Sequence, residues 1–304
     1  MRSLGQGLFS SAPLLLVLAG LFWAGNTVLG RGLSDLTPPV QLAFARWTLA
    51  TLIIAPFAWP RLRQDWATIR AHAPMIAFLA ALGPGSYNTL LYIGLTHTPA
   101  VNALLVGASG PLLIAIAAYA AFGDRMTRAQ ALGVVLAGVG VVFIIARGDP
   151  SKLGAAEFNQ GDLWVFAALA SWGVYTAYLR RKPAIHWLSF AAVTFALAAV
   201  FNAPLAAVEH GLGRSLQADW TTAFAIAYVA VFPSVLSYIF FSRGVELIGA
   251  NRAGAYLNLI PVFGVGLAIA FLGEQLQGFH AAGFLLIMGG VLLSARRAGV
   301  SAGR

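Results

Sequence analysis

Runs of about twenty predominantly apolar residues follow one another along this chain, and most of the stretches between them are too short to fold on their own. A helix rises about 1.5 Å per residue and bilayer hydrocarbon is about 30 Å thick, so each run is long enough to cross. Ten segments qualify: 12-30, 39-59, 74-94, 99-121, 128-146, 162-180, 187-208, 221-242, 251-272 and 278-295. In lipid each backbone N–H and C=O needs a partner within the protein, which a helix supplies by itself. The expected fold class is therefore all-α integral membrane, with ten transmembrane helices. Composition agrees: 59% of the 304 residues are hydrophobic and 10% charged, against about 45–50% and about 25% in soluble domains. Arg2 ahead of Leu14 to Leu18 has the look of a signal peptide, but the apolar run continues through Trp23 to Leu29 and is expected to stay as a span.

The net charge of +9 does not point to nucleic acid, because Lys and Arg are scattered between apolar runs rather than gathered on a solvated face. Their distribution is a topology signal. With the ten spans drawn, one side of the membrane collects fourteen of them: Arg2, Arg61, Arg63, Arg70, Arg125, Arg128, Arg180, Arg181, Lys182, Arg243, Arg252, Arg296, Arg297 and Arg304. The other receives four: Arg31, Arg147, Lys152 and Arg214. The positive-inside rule then places both termini in the cytoplasm of a multi-pass protein. The chain has no cysteine, which excludes disulfides, thiolate metal sites and cysteine nucleophiles.

Sliding the sequence by 150 residues lays Gly94, Ala100, Pro111, Gly123, Gly133 and Gly140 on Gly244, Ala250, Pro261, Gly273, Gly283 and Gly290, and Asp124 on Glu274. A shift of 149 lays Trp23 on Trp172. The reading is a duplicated unit of five helices, with repeats at 1-148 and 162-304 and a Gly/Pro/charge-bearing linker at 149-161. Five is odd, so the second copy enters from the opposite face, as the Lys/Arg count independently requires. Inverted repeats of this kind occur in secondary transporters.

The closing blocks of the two halves, NALLVGASGPLLIAIAAYAAFGDRMTRAQALGVVLAGVGVVFI and RAGAYLNLIPVFGVGLAIAFLGEQLQGFHAAGFLLIMGGVLLS, each carry a mid-helix proline and an acid at the end of a span. With Arg46 in LAFARWTLA, they resemble the EamA-type drug/metabolite transporter superfamily over almost the whole chain. Within it the chain is similar to bacterial inner-membrane exporters of aromatic amino acids and related compounds. The resemblance implies two inverted five-helix repeats around a central cavity, alternating access, export, and residence in a bacterial inner membrane. The partners so implied are a small-molecule solute and the lipid bilayer. Strict symmetry is broken at one place, since Arg46 has its counterpart near the apolar Phe195.

A charge inside a span costs roughly 2.5–3.5 kcal/mol on insertion scales, so Arg46 needs compensation. Two readings are open: it faces a wet path and binds a solute carboxylate, or it bonds helix-end carbonyls and snorkels outward toward Asp35. Aromatic and amide side chains recur at mid-membrane levels: Trp23, Asn26, Tyr87, Asn88, Tyr92, Trp172, Tyr175, Tyr178, Tyr238, Tyr256 and Asn258. Facing lipid they would lack partners, so they are expected to turn inward and line a substrate cavity suited to aromatic or flat amphipathic solutes. Interfacial belts or ordinary helix–helix bonds are the other reading. Pro111 and Pro261 each remove a backbone hydrogen bond within a span and are hinge candidates or static kinks; Gly83, Pro84 and Gly85, with Pro233, mark a second weakened level. Asp124 and Glu274 are expected to cap or pin short turns.

All acids and the five histidines fall in loops or at helix ends, which argues against a buried proton relay and for downhill export. No metal-spaced cluster, phosphate loop or nucleophile–base arrangement suggests an enzyme, a cofactor or a metal. A channel-like facilitator, or an exporter of a non-amino-acid metabolite or drug, stays as the alternative.

Overall fold

The computed structural model describes residues 10–124, 126–149 and 159–295. Most of the expected linker, and Arg2, Arg125, Lys152, Arg296, Arg297 and Arg304 of the orientation count, lie outside the described residues. Within them the chain is helical, without strands. The elements are α1 (Ala12–Gly32), α2 (Pro39–Ala71), α3 (Ala73–Leu95), α4 (Ala100–Gly107 and Gly110–Phe122), α5 (Arg128–Ile145) and α6 (Gln160–Tyr178). They continue with α7 (Trp187–Gly211), α8 (Trp220–Ile248), α9 (Ala250–Ala255, a 3-10 turn Tyr256–Asn258, then Leu259–Leu272) and α10 (Gly278–Ala295).

Among the described residues seven helices are long and apolar enough to cross a membrane, and the two parts of α4, bent by 49°, make up to eight. The apolar stretch of α10 is shorter, and α6 is diluted by Asp162, Ser171, Thr176 and its tryptophans and tyrosines. The largest departure from the expected boundaries is α2. It runs for 33 residues through Pro56 and Pro60, so the segment carrying Arg61, Arg63 and Arg70 is helix rather than loop. Along its polar end Trp59 and Trp66 are exposed and the Arg63 guanidinium lies 5.1 Å from the Trp59 ring centre.

Glycine sets the closest approach. Gly133 faces Gly290 and Gly140 faces Gly283 across the α5–α10 contact, each glycine opposing the other's backbone carbonyl. The numbers rise along one helix as they fall along the other, so the pair is antiparallel. Likewise α2 and α7 run antiparallel, with the Gln41 N–H donating to Glu209 at one end (2.9 Å) and the His186 N–H to Asp65 at the other (3.0 Å). The first helix of each half packs in the other half: α1 against α8 and α9, and α6 against α3 and α4. Gly94 lies under Val165 and Gly244 under Leu16, contacts at equivalent positions of the two halves. The described residues before 150 and those after 158 are thus interleaved in space, and neither set buries its own apolar faces alone.

The weakened levels take a specific form. Ala81–Ser86 in α3 and Val231–Leu236 in α8, 150 residues apart, are π-helical turns. Pro84 and Pro233 lack the N–H an α-helix would use there, and a widened turn leaves carbonyls unclaimed. Serines five residues on supply the missing donors: Ser86 to the Ala81 carbonyl (2.7 Å), Ser234 to Val229 (2.7 Å) and Ser237 to Phe232 (3.0 Å). Pro111 sits in the first turn after the α4 break, where a missing N–H costs nothing, and Pro261 shortly after the 3-10 turn of α9.

Candidate functional site

Four helices meet around Arg46 and a fifth, α6, joins through the contact of Trp172 with Tyr87, most bringing side chains spaced three or four residues apart, the spacing that puts both on one helix face. They are Trp23 and Asn26 from α1, Asn88 and Tyr92 from α3, Trp172 and Tyr175 from α6, and Ser234 and Tyr238 from α8. Arg46 from α2 is 2% exposed. Its Nε donates to Ser234 Oγ (2.8 Å), and its Nη1 lies 2.7 Å from each of Asn26 Oδ1, Asn88 Oδ1 and Tyr92 Oη. Tyr92 in turn donates its hydroxyl hydrogen to Asn26 Oδ1 (2.6 Å). The guanidinium also lies 4.7 Å from the Trp47 ring centre.

The geometry excludes the snorkelling alternative. Arg46 reaches no helix-end carbonyl and no Asp35; every hydrogen-bond partner it has among the described residues is a neutral side chain. A guanidinium has five N–H donors, and the two on Nη2 have no acceptor among the described residues. Arg46 is thus a buried, positively charged group held by neutral side-chain dipoles alone among the described residues. The π-helical turn of α8 is what makes the cradle: it presents Ser234 to Arg46 and offers the Pro233 carbonyl to Trp23 Nε1 (3.0 Å).

Aromatic rings surround this cluster in two arms. Trp23 meets Tyr238 edge-on (6.2 Å between centroids) and Phe241 (5.5 Å), and Tyr238 meets Phe195 edge-on (5.3 Å). Tyr87 meets Trp172 (5.1 Å), which meets Tyr175 (4.9 Å). Tyr87 and Tyr238 lie within electrostatic reach of the guanidinium and of each other, and Tyr175 of Tyr238. Gly83, in the π-helical turn of α3, lets the Tyr175 ring close in: a Cβ there would sit 2.7 Å from it.

Three of the sequence candidates have no hydrogen bond or ring contact with the Arg46 cluster among the described residues. Tyr178 packs between Phe78 and Phe122 (5.0 Å each), Tyr256 lies in the 3-10 turn of α9, and Asn258 is exposed. Sequence reasoning passed over Ser234, Trp47 and Phe195. A serine directly after the in-span Pro233 was the readable signal for the first; the other two are apolar residues whose place depends on how α2 and α7 pack.

The acids and histidines placed in loops or at helix ends are not all accessible to water. Asp162, Glu209 and His280 do lie at helix ends, but the ends are packed under neighbouring helices, leaving them 1%, 7% and 5% exposed. Glu274 caps another element rather than its own turn: its two oxygens accept the N–H groups of Ala100 and Val101 (2.8 Å each) at the start of α4. Its repeat counterpart Asp124 instead pairs with Arg180 at an exposed position (2.5 Å).

The sequence model of the EamA-like transporter family matches this chain twice, at residues 10–146 and 159–296. A probable terminal-alkyne amino-acid exporter of Streptantibioticus cattleyicolor is 30% identical over 95% of this chain and 94% of its own length. The uncharacterized transporter YyaM of Bacillus subtilis is 30% identical over 74% of this chain and 73% of its own. A probable amino-acid metabolite efflux pump of Salmonella typhimurium is 25% identical over 92% and 93%. A solved crystal structure with 21% identity superposes with a TM-score of 0.61, covering 94% of this chain and 96% of that one, which shows the shared fold.

Proposed function

The chain belongs to the EamA-like transporter family and is a membrane transport protein; from that premise we propose that it exports small carboxylate-bearing solutes, foremost aromatic and other amino acids, by alternating access. The observation that carries the substrate class is Arg46 with its two unclaimed Nη2 donors between arms of aromatic rings. A solute carboxylate completes the guanidinium's bonds, and its side chain packs against Trp23 and Tyr238 or Tyr87, Trp172 and Tyr175. The relatives named as amino-acid exporters support the same class.

The architecture proposed is ten spans in two inverted five-helix repeats, with boundaries at 1-148 and 162-304, around a central path. It is supported by the antiparallel α5–α10 and α2–α7 pairs, the reciprocal packing of α1 and α6, and π-helical turns 150 residues apart. The Lys/Arg asymmetry supports cytoplasmic termini in a bacterial inner membrane. Bending at the α4 break and at the two π-helical turns is the proposed motion.

The test is efflux of labelled phenylalanine, tryptophan and a neutral aliphatic amino acid from liposomes carrying the purified protein, with empty liposomes as the leak. Saturable efflux preferring aromatic solutes is expected. Trp172→Ala is expected to slow aromatic efflux about tenfold while changing aliphatic efflux little, since one ring–ring contact is worth about 0.5–1.5 kcal/mol. Folded protein without flux above leak rejects amino acids as substrates.

A further inference from the structure

A second buried polar network lies away from Arg46, where α4, α6 and α10 begin. Asp162 in the first turn of α6 is 1% exposed. Its Oδ1 accepts the hydroxyl of Thr98, and both its oxygens lie 3.4 Å from Asn102 Nδ2 of α4. No Lys or Arg hydrogen-bonds it among the described residues. Asn102 Oδ1 lies 2.8 Å from His280 Nε2 of α10, and His280 Nδ1 lies 3.0 Å from the Gln277 backbone N–H.

These contacts decide where a proton goes. The Gln277 N–H can only donate, so His280 Nδ1 is the acceptor, and Nε2 carries the hydrogen given to Asn102 Oδ1. The imidazole is therefore neutral with its one lone pair in use. Asp162 is the remaining acceptor, a carboxylate out of water held by neutral donors only. A proton placed on it turns two charge-assisted bonds into neutral ones, about half as strong. The Asn102 contacts tie α4 to α6 and the Thr98 bond ties the turn just before α4 to it; α4 is the element broken two turns later, at Gly107–Gly110.

We propose that Asp162 is a proton-binding site whose ionised form latches the first half of α4 shut. The proton comes from, and returns to, the water on that face, so no proton crosses the membrane. Beside the latch is a cavity of about 330 Å³ lined by Val101, Asn102, Arg147, Glu274 and His280 among others, through which water reaches α4 once it moves. The charged and titratable groups around Asp162 and His280 are Arg147 at the end of α5, which attracts the carboxylate, and Glu274 before α10, which faces His280. His97 lies in the turn under Gly161, and Asp149 follows Arg147. All of them remain in the variants below, so differences between variants report on Asp162.

The chain's lack of cysteine allows a test that needs no transport. Val101, 1% exposed and lining the cavity, is replaced by cysteine as the sole thiol (Val101→Cys), and its rate of maleimide labelling is followed against pH in lipid nanodiscs. The ratio of rates with and without Asp162→Asn cancels the thiol's own titration. The expected ratio is about fivefold at neutral pH, falling to one in acid as the parent carboxylate is protonated. A ratio of one throughout, or one raised equally at every pH, overturns the proposal. Should Asp162→Asn not fold, Thr98→Ala decides it. Losing a donor to the charged form must move the acid transition of labelling to higher pH, and an unmoved transition overturns the proposal. The labelling readout stands even if amino acids prove not to be the solute.

Discussion

Arg46→Leu is expected to abolish efflux to within the leak and to lower stability by about 3 kcal/mol or more. Leucine is similar in bulk but leaves Asn88 and Ser234 without the guanidinium's donors and Asn26 with the Tyr92 hydroxyl alone. Each buried polar group so abandoned costs about 1–3 kcal/mol. Tyr92 keeps its bond to Asn26, so the cluster does not fall apart wholly. Arg46→Lys separates charge from shape. One ammonium cannot reach Ser234 on the Nε side and the two asparagines on the Nη1 side together, so stability should recover in part while carboxylate binding stays weak. Thermal unfolding in nanodiscs and efflux of labelled phenylalanine measure the two effects. Arg46→Leu protein with parental unfolding temperature and flux would falsify the central role of this guanidinium.

Gly140→Val should be the most damaging change away from the site. A Cβ at Gly140 would lie 2.7 Å from the Gly283 carbonyl oxygen and 2.8 Å from Ile287 Cγ1, and valine adds two methyls beyond it. Backbone cannot retreat as a side-chain end can, so α5 and α10 must separate along a seam where Gly133 and Gly290 also touch. Overpacking of this kind costs about 1–3 kcal/mol where the structure can relax, and more where it cannot. The expected result is loss of folded protein on extraction, seen as aggregation in size-exclusion chromatography. Val139→Leu, on the exposed face beside it, is the control expected to behave as the parent. Parental yield and unfolding temperature for Gly140→Val would mean that the seam is looser than the glycine contacts imply.

Much of this was legible in the residues because it follows from rules that act locally. Apolar runs placed the helices, since length and hydropathy alone decide what lipid tolerates. Gly133 and Gly140, falling on Gly283 and Gly290 at one shift, marked the duplication, while their close approach across α5 and α10 came only with the structure. Trp23, Asn26, Tyr87, Asn88, Tyr92, Trp172, Tyr175 and Tyr238 were singled out because polar and aromatic groups in a span must find company. The same rule also picked Tyr178, which packs between Phe78 and Phe122 instead, because it cannot say where on the helix surface the company stands.

What the tertiary structure alone decided concerns contacts between residues far apart in the chain. Arg46 could be judged costly from its neighbours in sequence, but its fate depended on Ser234, 188 residues away, brought within reach by a π-helical turn. Asp162 could be placed at a helix start, but only the packing of α4 over that start made it a buried acid. The interleaving of the halves was likewise invisible, since a duplicated sequence says that two units are alike and nothing about which helix lies against which. Local chemistry decides whether a helix forms and whether it suits lipid; the partner of a buried polar atom is decided by packing, which no single stretch of sequence contains.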